Sequence, residues 1–247
     1  MQIKIWNLLD GNKHAVAIVG AGGKTTVMYE LAAYLSRRYK KVLVSTTTHI
    51  YKPPQAVFAE NKQQLLSLWQ QGSYAVCGRQ AQAENKLIMP EAAVLQDYMQ
   101  LADITLLEAD GAKRKPCKVP AAHEPVILPQ CDIVLGVLGL DAVGQKVGEA
   151  CFRTELVQKL LDCDEEHVLT AEDMALIMTS PQGMRKNAAG RSFYPVLNKC
   201  DTKAAAMNAE IICRLLQKQG ISQDDIWVRG AWQSLSLIHI SEPTRLQ

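Results

Sequence analysis

Apolar residues fall along this chain in short continuous runs separated by helical stripes. Ala15-Val-Ala-Ile-Val19 is an apolar run of the kind that forms a strand buried on both faces, and it stops at Gly20-Ala-Gly-Gly23. From Thr25 to Arg38 the apolar positions Val27, Leu31 and Leu35 recur on one helical face. Val42-Leu-Val44, within Lys41 to Thr46, begins a second buried strand after the basic helix end at Arg37, Arg38 and Lys40. This opening pattern predicts a βαβ unit.

Two later runs, Ile104 to Leu107 and Ile133 to Leu138, each follow an Asp and predict buried parallel strands, and Phe193 to Leu197 predicts another before Asn198. Between Lys52 and Met99 the pattern weakens. Pro53-Pro54 breaks the chain, Asn61 to Gln70 has a helical stripe at Leu65, Leu66 and Trp69, and Ser73 to Arg79 is a candidate strand. Thr170 followed by Asp173 is a capping-box start for a helix over Ala171 to Met178. Lys203 to Lys218 predicts another helix, with Ile211, Ile212, Leu215 and Leu216 turned inward. Internal repeats and low-complexity linkers are absent from the sequence, and the Pro-rich stretch from Lys115 to Pro129 is the one candidate internal boundary. The expected fold is α/β: one three-layer P-loop-type domain over residues 1–234 with a mostly parallel central sheet. Residues 235–247, from Leu235-Ser-Leu-Ile-His-Ile onward, read as the translation of a sequencing-library adapter and are set aside from the fold.

The strongest chemical feature is Gly20-Ala-Gly-Gly-Lys-Thr-Thr26, placed between a strand and a helix. Glycines let backbone N–H groups curl around phosphate oxygens, Lys24 neutralises charge, and the Thr25 hydroxyl can hold Mg²⁺. Gly20, Ala21, Gly22, Gly23, Lys24, Thr25 and Thr26 are therefore the candidate phosphate contacts, with a purely structural strand-to-helix turn as the alternative. The strict G-x-x-x-x-G-K-[ST] pattern is not met, because Ile18 occupies its first glycine position. The shorter loop resembles the ATP loops of Mur-type ligases and of some relatives of metal-insertion GTPases.

Glu108-Ala-Asp110-Gly111 ends the strand Ile104 to Leu107, where phosphoryl-transfer sites place a Mg²⁺ carboxylate; either acid fits, and an ordinary turn is the alternative. Thr25, Glu108 and Asp110 are the candidate metal residues, and Lys24 and Asp110 the candidate catalytic ones. Lys113 stands where the glycine of a D-x-x-G switch would be. Thr46-Thr-Thr-His49 leaves the second strand at the same edge, either as further hydroxyl ligands or as a plain β-branched strand exit. Asn198-Lys199-Cys200-Asp201 matches the N-K-x-D pattern that reads guanine, through an Asp carboxylate on the ring N–H groups and an Asn that steadies the loop. Asn and Asp are also common helix caps, so GTP and ATP both stay open.

A basic segment, Lys113, Arg114, Lys115 and Lys118, follows the acids directly and is a candidate clamp for an anionic second substrate, with a solvated charge run as its alternative. His123-Glu124, flanked by Pro120 and Pro125, is a candidate source of a general base there, with a satisfied loop histidine as its alternative, and Arg153 is a candidate phosphate contact.

Composition narrows the function classes. With 27 Lys plus Arg against 25 Asp plus Glu, a formal charge of +2 and 6% aromatic residues, no basic stacking surface for nucleic acid is expected. Ile133 to Leu140 is the most apolar stretch and falls far short of the ~20 residues of a membrane span. Lys4, Asp10 and Lys13 leave no apolar signal core, so a cytoplasmic protein is expected. Seven cysteines without a C-x-x-C pair and five histidines without an H-E-x-x-H pattern read as packing residues and not as a transition-metal centre. Cys117, beside the basic segment, is read in the same way.

Taken together, Gly20 to Thr26, Thr46 to His49, Glu108 to Ala112 with Lys113-Arg-Lys-Pro116, His123-Glu-Pro125, Val137 to Asp141 and Asn198 to Asp201 resemble the YqeC family, accessory proteins of selenium-dependent molybdenum hydroxylases. The resemblance runs from about Val16 to about Gly230 and is most specific between Leu106 and Pro125. It implies a cytoplasmic bacterial nucleotide-binding protein with a P-loop fold that assists maturation of a molybdenum hydroxylase or its cofactor. The reaction expected from loop and resemblance together is Mg²⁺-dependent hydrolysis of a nucleoside triphosphate, with GTP ahead of ATP. An ATP-dependent ligase or kinase and a nucleotide-gated chaperone that does not hydrolyse are the rivals. The oligomeric state is left open.

Overall fold

The computed structural model describes residues 12–39, 41–81 and 85–230. The expectations placed on Lys4, Asp10, Lys40 and the adapter-like tail from 235 lie outside the described residues.

Seven strands form one sheet in which every pairing is parallel: β1 (His14–Gly20), β2 (Val42–Thr46), β4 (Ala75–Val76), β7 (Ile104–Glu108), β9 (Ile133–Gly139), β11 (Ser192–Asn198) and β12 (Trp227–Val228). Their order is β12-β11-β9-β1-β7-β2-β4. Both faces are covered, as an all-parallel sheet requires. Along β1 the side chains alternate: Val16 and Ile18 join the cluster packed on α1 (Lys24–Leu35), while Ala15, Ala17 and Val19 join the one packed on α2 (Lys62–Gln70) and α3 (Ala92–Leu101). A third cluster gathers α4 (Val147–Ala150), α5 (Thr154–Leu161), α6 (Ala171–Thr179) and α7 (Lys203–Lys218) over Leu138, Leu197 and Val228. The result is the three-layer α/β architecture expected of a P-loop-type fold.

The chain departs from the simple reading in four places. Strands β1 and β2 are not neighbours: β7 lies between them, with Val16 opposite Leu106 on one side and Val44 opposite Leu106 on the other. The excursion from Thr47 to Asp103 brings the chain back to fill that slot. Ser73 to Arg79 is not one strand, because β4 joins the main sheet while β5 (Arg79–Gln80) pairs antiparallel with β6 (Lys86–Ile88), which also pairs with β3 (His49–Tyr51). Helix α1 ends at Leu35, three residues short of Arg38, capped by Ser36. Ile211 faces outward at 39% exposure while Ile212 and Leu216 are buried, since α7 packs through the stripe Ala205, Ala209, Ile212, Cys213 and Leu216. The Thr170–Asp173 capping box forms as read from the sequence.

The order places β1 at a topological switch: the chain continues through β7, β2 and β4 on one side and through β9, β11 and β12 on the other. Open parallel sheets bind ligands outside the carboxyl ends of their strands at such a point. Because Leu106 lies fully buried between both neighbours of β7, Leu106→Ala is expected to cost about 2–5 kcal/mol, read as a lower denaturation midpoint in urea.

Candidate phosphate site at the carboxyl edge of the sheet

The loop between β1 and α1 owes its shape to three glycines in left-handed conformation, Gly20 at φ 96°, Gly22 at 76° and Gly23 at 107°. Space reinforces the requirement. A Cβ on Gly20 would stand 2.3 Å from the Val137 carbonyl oxygen, one on Gly22 2.1 Å from the Gly139 nitrogen, and one on Gly23 2.6 Å from the Asn198 side chain. The loop therefore lies flat across the ends of β9 and β11. Its first amides are already engaged: Gly20 N–H donates to Asp110 Oδ2 at 3.0 Å, Ala21 N–H to Val137 O at 2.9 Å and Gly22 N–H to Lys115 O at 3.1 Å. The first-turn N–H groups of α1 have no intrahelical partner and no side-chain cap. They are the amides available to an anion, from Gly23 through Thr26.

Lys24 opens α1 and is 4% exposed. Its ammonium donates to Gly20 O at 2.8 Å and stands 3.1 Å from Asp110 Oδ1 and 3.7 Å from Glu108 Oε1. Burial alone would lower its pKa, but the attraction of Asp110 and then Glu108 outweighs it and raises the group above an ordinary lysine. The Thr25 hydroxyl donates to Glu108 Oε2 at 2.7 Å. Burial pushes the Glu108 carboxyl up in spite of Lys24 and Thr25. A hydroxyl and two carboxylates thus converge beside the lysine, and buried Asp110 Oδ1 receives no well-aligned hydrogen bond. Hard oxygen donors of this kind, few in number, suit Mg²⁺, which keeps most of its shell for water and phosphate. Thr25 and Glu108 would hold the ion, with Asp110 behind them, and the ion would supply charge neutralisation at a phosphoryl group.

Thr46 is buried and accepts from Thr48 N–H at 2.9 Å while donating to Glu108 O at 2.9 Å. It braces the end of β7, and His49 begins β3 as an exposed residue.

The basic segment divides. Lys113 and Arg114 are exposed, both with positive φ, and Lys115 is half-buried with its ammonium on the Glu149 carbonyl. Arg114 donates to the Tyr51 hydroxyl at 2.8 Å. Lys118, grouped with them by sequence, is fully buried and points the other way. Its ammonium donates to Gly111 O at 2.6 Å and Glu124 Oε2 at 2.7 Å and stands 3.1 Å from Asp110 Oδ2. The reason is charge: burying Asp110 and Glu124 together needs a cation between them. His123 is exposed, and its neighbour Glu124 is the buried residue, bonded also by Arg153 Nη2 at 3.0 Å. Arg153 caps α5 at φ 60° and lies over the Phe152 ring at 4.8 Å. Sequence pattern names Glu124 only with His123 as a general-base candidate; the signal for its burial is an acid inside the proline-flanked stretch Val119 to Val126.

At the far end of the loop, Asn198 Nδ2 donates to Gly22 O at 2.7 Å and Asn198 Oδ1 accepts from Arg229 at 3.1 Å. Asn198 ties the glycine loop to the end of β11. Lys199, at φ 63°, pairs with Asp141 at 2.6 Å. Asp201 is exposed and is not the helix cap; Thr202 caps α7 by accepting from Ala205 N–H. Arg229, Asp141 and Gly139 join the site only in the fold, Arg229 on Asn198, Asp141 on Lys199 and Gly139 against Gly22.

Burial raises the Glu124 carboxyl, but hydrogen bonds from Lys118 and Arg153 outweigh it and hold the pKa at about 2. A depressed carboxyl pKa stabilises the fold above the unfolded value of ~4.3 and loses that contribution as pH falls through the folded value. Stability is therefore expected to decline between about pH 4.5 and pH 2, with a shallower decline in Glu124→Gln, measured by denaturant titration at a series of pH values.

The family model described as YqeC protein matches residues 16–155, from β1 to the start of α5. The chain is 30% identical over 179 residues to a protein of Escherichia coli (strain K12) named "Uncharacterized protein YqeC", covering 70% of each chain. The glycine loop, the β7 acids, Lys118, Glu124 and Arg153 all fall inside the matched region, and the chain belongs to the YqeC family.

Proposed function

We propose that this protein binds a nucleoside triphosphate with Mg²⁺ at the loop Gly20 to Thr26 and hydrolyses it in the course of assisting a selenium-dependent molybdenum hydroxylase or its cofactor to mature. The observation that carries the nucleotide reading is the convergence of Lys24, the Thr25–Glu108 hydrogen bond and the uncapped start of α1 at the switch point of a parallel sheet. In this reading Gly23, Lys24, Thr25 and Thr26 hold the phosphates, and Lys24 stabilises charge on the transferred group. Thr25 and Glu108 hold the metal, with Asp110 orienting Lys24. The hydroxylase role rests on the family resemblance, and a cytoplasmic location goes with it; among the described residues no helix is long and apolar enough to cross a membrane.

The N-K-x-D pattern at Asn198, Lys199 and Asp201, together with the Asn198 bond to Gly22 O, supports a guanine contact beside the loop and puts GTP ahead of ATP in this reading. A second reading, transfer of phosphate to an anionic acceptor as in an ATP-dependent ligase or kinase, draws support from the exposed Lys113 and Arg114 and half-buried Arg153 around Phe152 and Tyr51. Competition between GTP and ATP for the purified protein with Mg²⁺ tests the phosphate site and the nucleotide it prefers. Lys24→Ala is expected to reduce affinity for either nucleotide at least tenfold, and Asp201→Ala to remove the preference for GTP. ATP preference indifferent to Asp201→Ala would overturn the guanine pocket. Equal affinity of Lys24→Ala and the unaltered protein would overturn the phosphate site itself.

A further inference from the structure

Five charged groups run in one alternating, mostly buried line from the phosphate loop to the surface. Lys24 stands 3.1 Å from Asp110, Asp110 3.1 Å from Lys118, Lys118 2.7 Å from Glu124, and Glu124 3.0 Å from Arg153. Asp110 is 1% exposed, Lys118 fully buried and Glu124 6% exposed. Only the Arg153 end reaches solvent, with its side chain 24% exposed, its Nε buried without a hydrogen-bond partner, and its backbone left-handed. A bond left unmade and a conformation disfavoured for arginine, at one residue, mark a position held by its surroundings.

As the line stands, Lys24 is turned inward onto Asp110 and the Gly20 carbonyl. To meet a phosphate it must give up Asp110. A buried carboxylate stripped of its cation is strongly disfavoured unless another cation takes over. Lys118 is placed to do so, because it already touches the opposite oxygen of the same carboxylate. Lys118 is shared with Glu124, which is in turn shared with Arg153.

We propose that Lys118, Glu124 and Arg153 are positioning residues of a counter-ion relay through which Arg153 sets how readily Lys24 is released from Asp110 to a bound phosphate. Arg153 draws Glu124 outward, which leaves Lys118 to Asp110 and frees Lys24. Loss of Arg153 throws Glu124 back on Lys118, and Asp110 then retains Lys24. The relay rests on the reading of the loop as a nucleotide site and adds to it a control point on the surface, within reach of whatever engages Lys113, Arg114 and Phe152.

The relay has a sign pattern. Nucleotide affinity, measured calorimetrically on the full chain with Mg²⁺-GTP and Mg²⁺-ATP, is expected to weaken in Arg153→Gln and in Lys118→Met and to tighten in Glu124→Gln, each by about three- to thirtyfold. Arg153→Lys is expected to recover part of the loss. A through-space field would give the same signs, so the deciding arm repeats Arg153→Gln and Glu124→Gln in an Asp110→Asn background. There the relay has no carboxylate to compete for Lys24, and both effects are expected to shrink below twofold, whereas a field would leave them intact. Should Lys118→Met fail to fold, the opposed pair at positions 124 and 153 still decides. Effects of one sign, or effects that persist beside Asn at position 110, overturn the relay while leaving the nucleotide site standing. Absence of nucleotide binding by the unaltered protein overturns the site and the relay together.

Discussion

Asp110 carries a negative charge into the interior at the point where three segments meet, and the arrangement of the site follows from neutralising it. One oxygen accepts from the Gly20 N–H and stands beside Lys118, and the other faces Lys24. The carboxylate therefore pins the end of β1, the start of α1 and the segment after β7 to one another. An isolated buried carboxylate is expensive, and partners that reach it from different parts of the chain convert that cost into positional order. Lys118 is buried for this reason, and its burial pulls the stretch from Pro116 to Pro125 back over the sheet edge, where Glu124 and Arg153 complete the neutralisation.

Close approach of backbone to backbone is the second constraint. Gly20 against Val137 and Gly22 against Gly139 bring the loop onto the end of β9 at separations that a side chain would prevent, and Gly23 yields to the Asn198 amide. The same contacts fix the direction of the α1 axis, whose uncapped first turn faces outward from the sheet edge. With the Gly20, Ala21 and Gly22 amides already bonded, the unbonded N–H groups of the loop are those from Gly23 to Thr26. The region matched by the YqeC family model ends shortly after Arg153, the outermost cation of the cluster.

Much of the fold could be read from the sequence by itself. Continuous apolar runs marked β1, β2, β7, β9 and β11, the glycine loop marked the turn into α1, and the Thr170–Asp173 box marked the start of α6, because strand burial, left-handed turns and helix caps are local demands on residue type. Local pattern likewise marks Lys24 and Thr25 at a glycine loop and Glu108 and Asp110 at a strand end, while the contacts between the two pairs belong to the fold. Only the tertiary structure decided who partners whom. It inserted β7 between β1 and β2, parted Lys118 from Lys113 and Arg114, exchanged exposed His123 for buried Glu124, and brought Asn198 to Gly22 across the sheet. Those outcomes depend on strand order and on where charges must be neutralised, and neither is a property of any short stretch of chain.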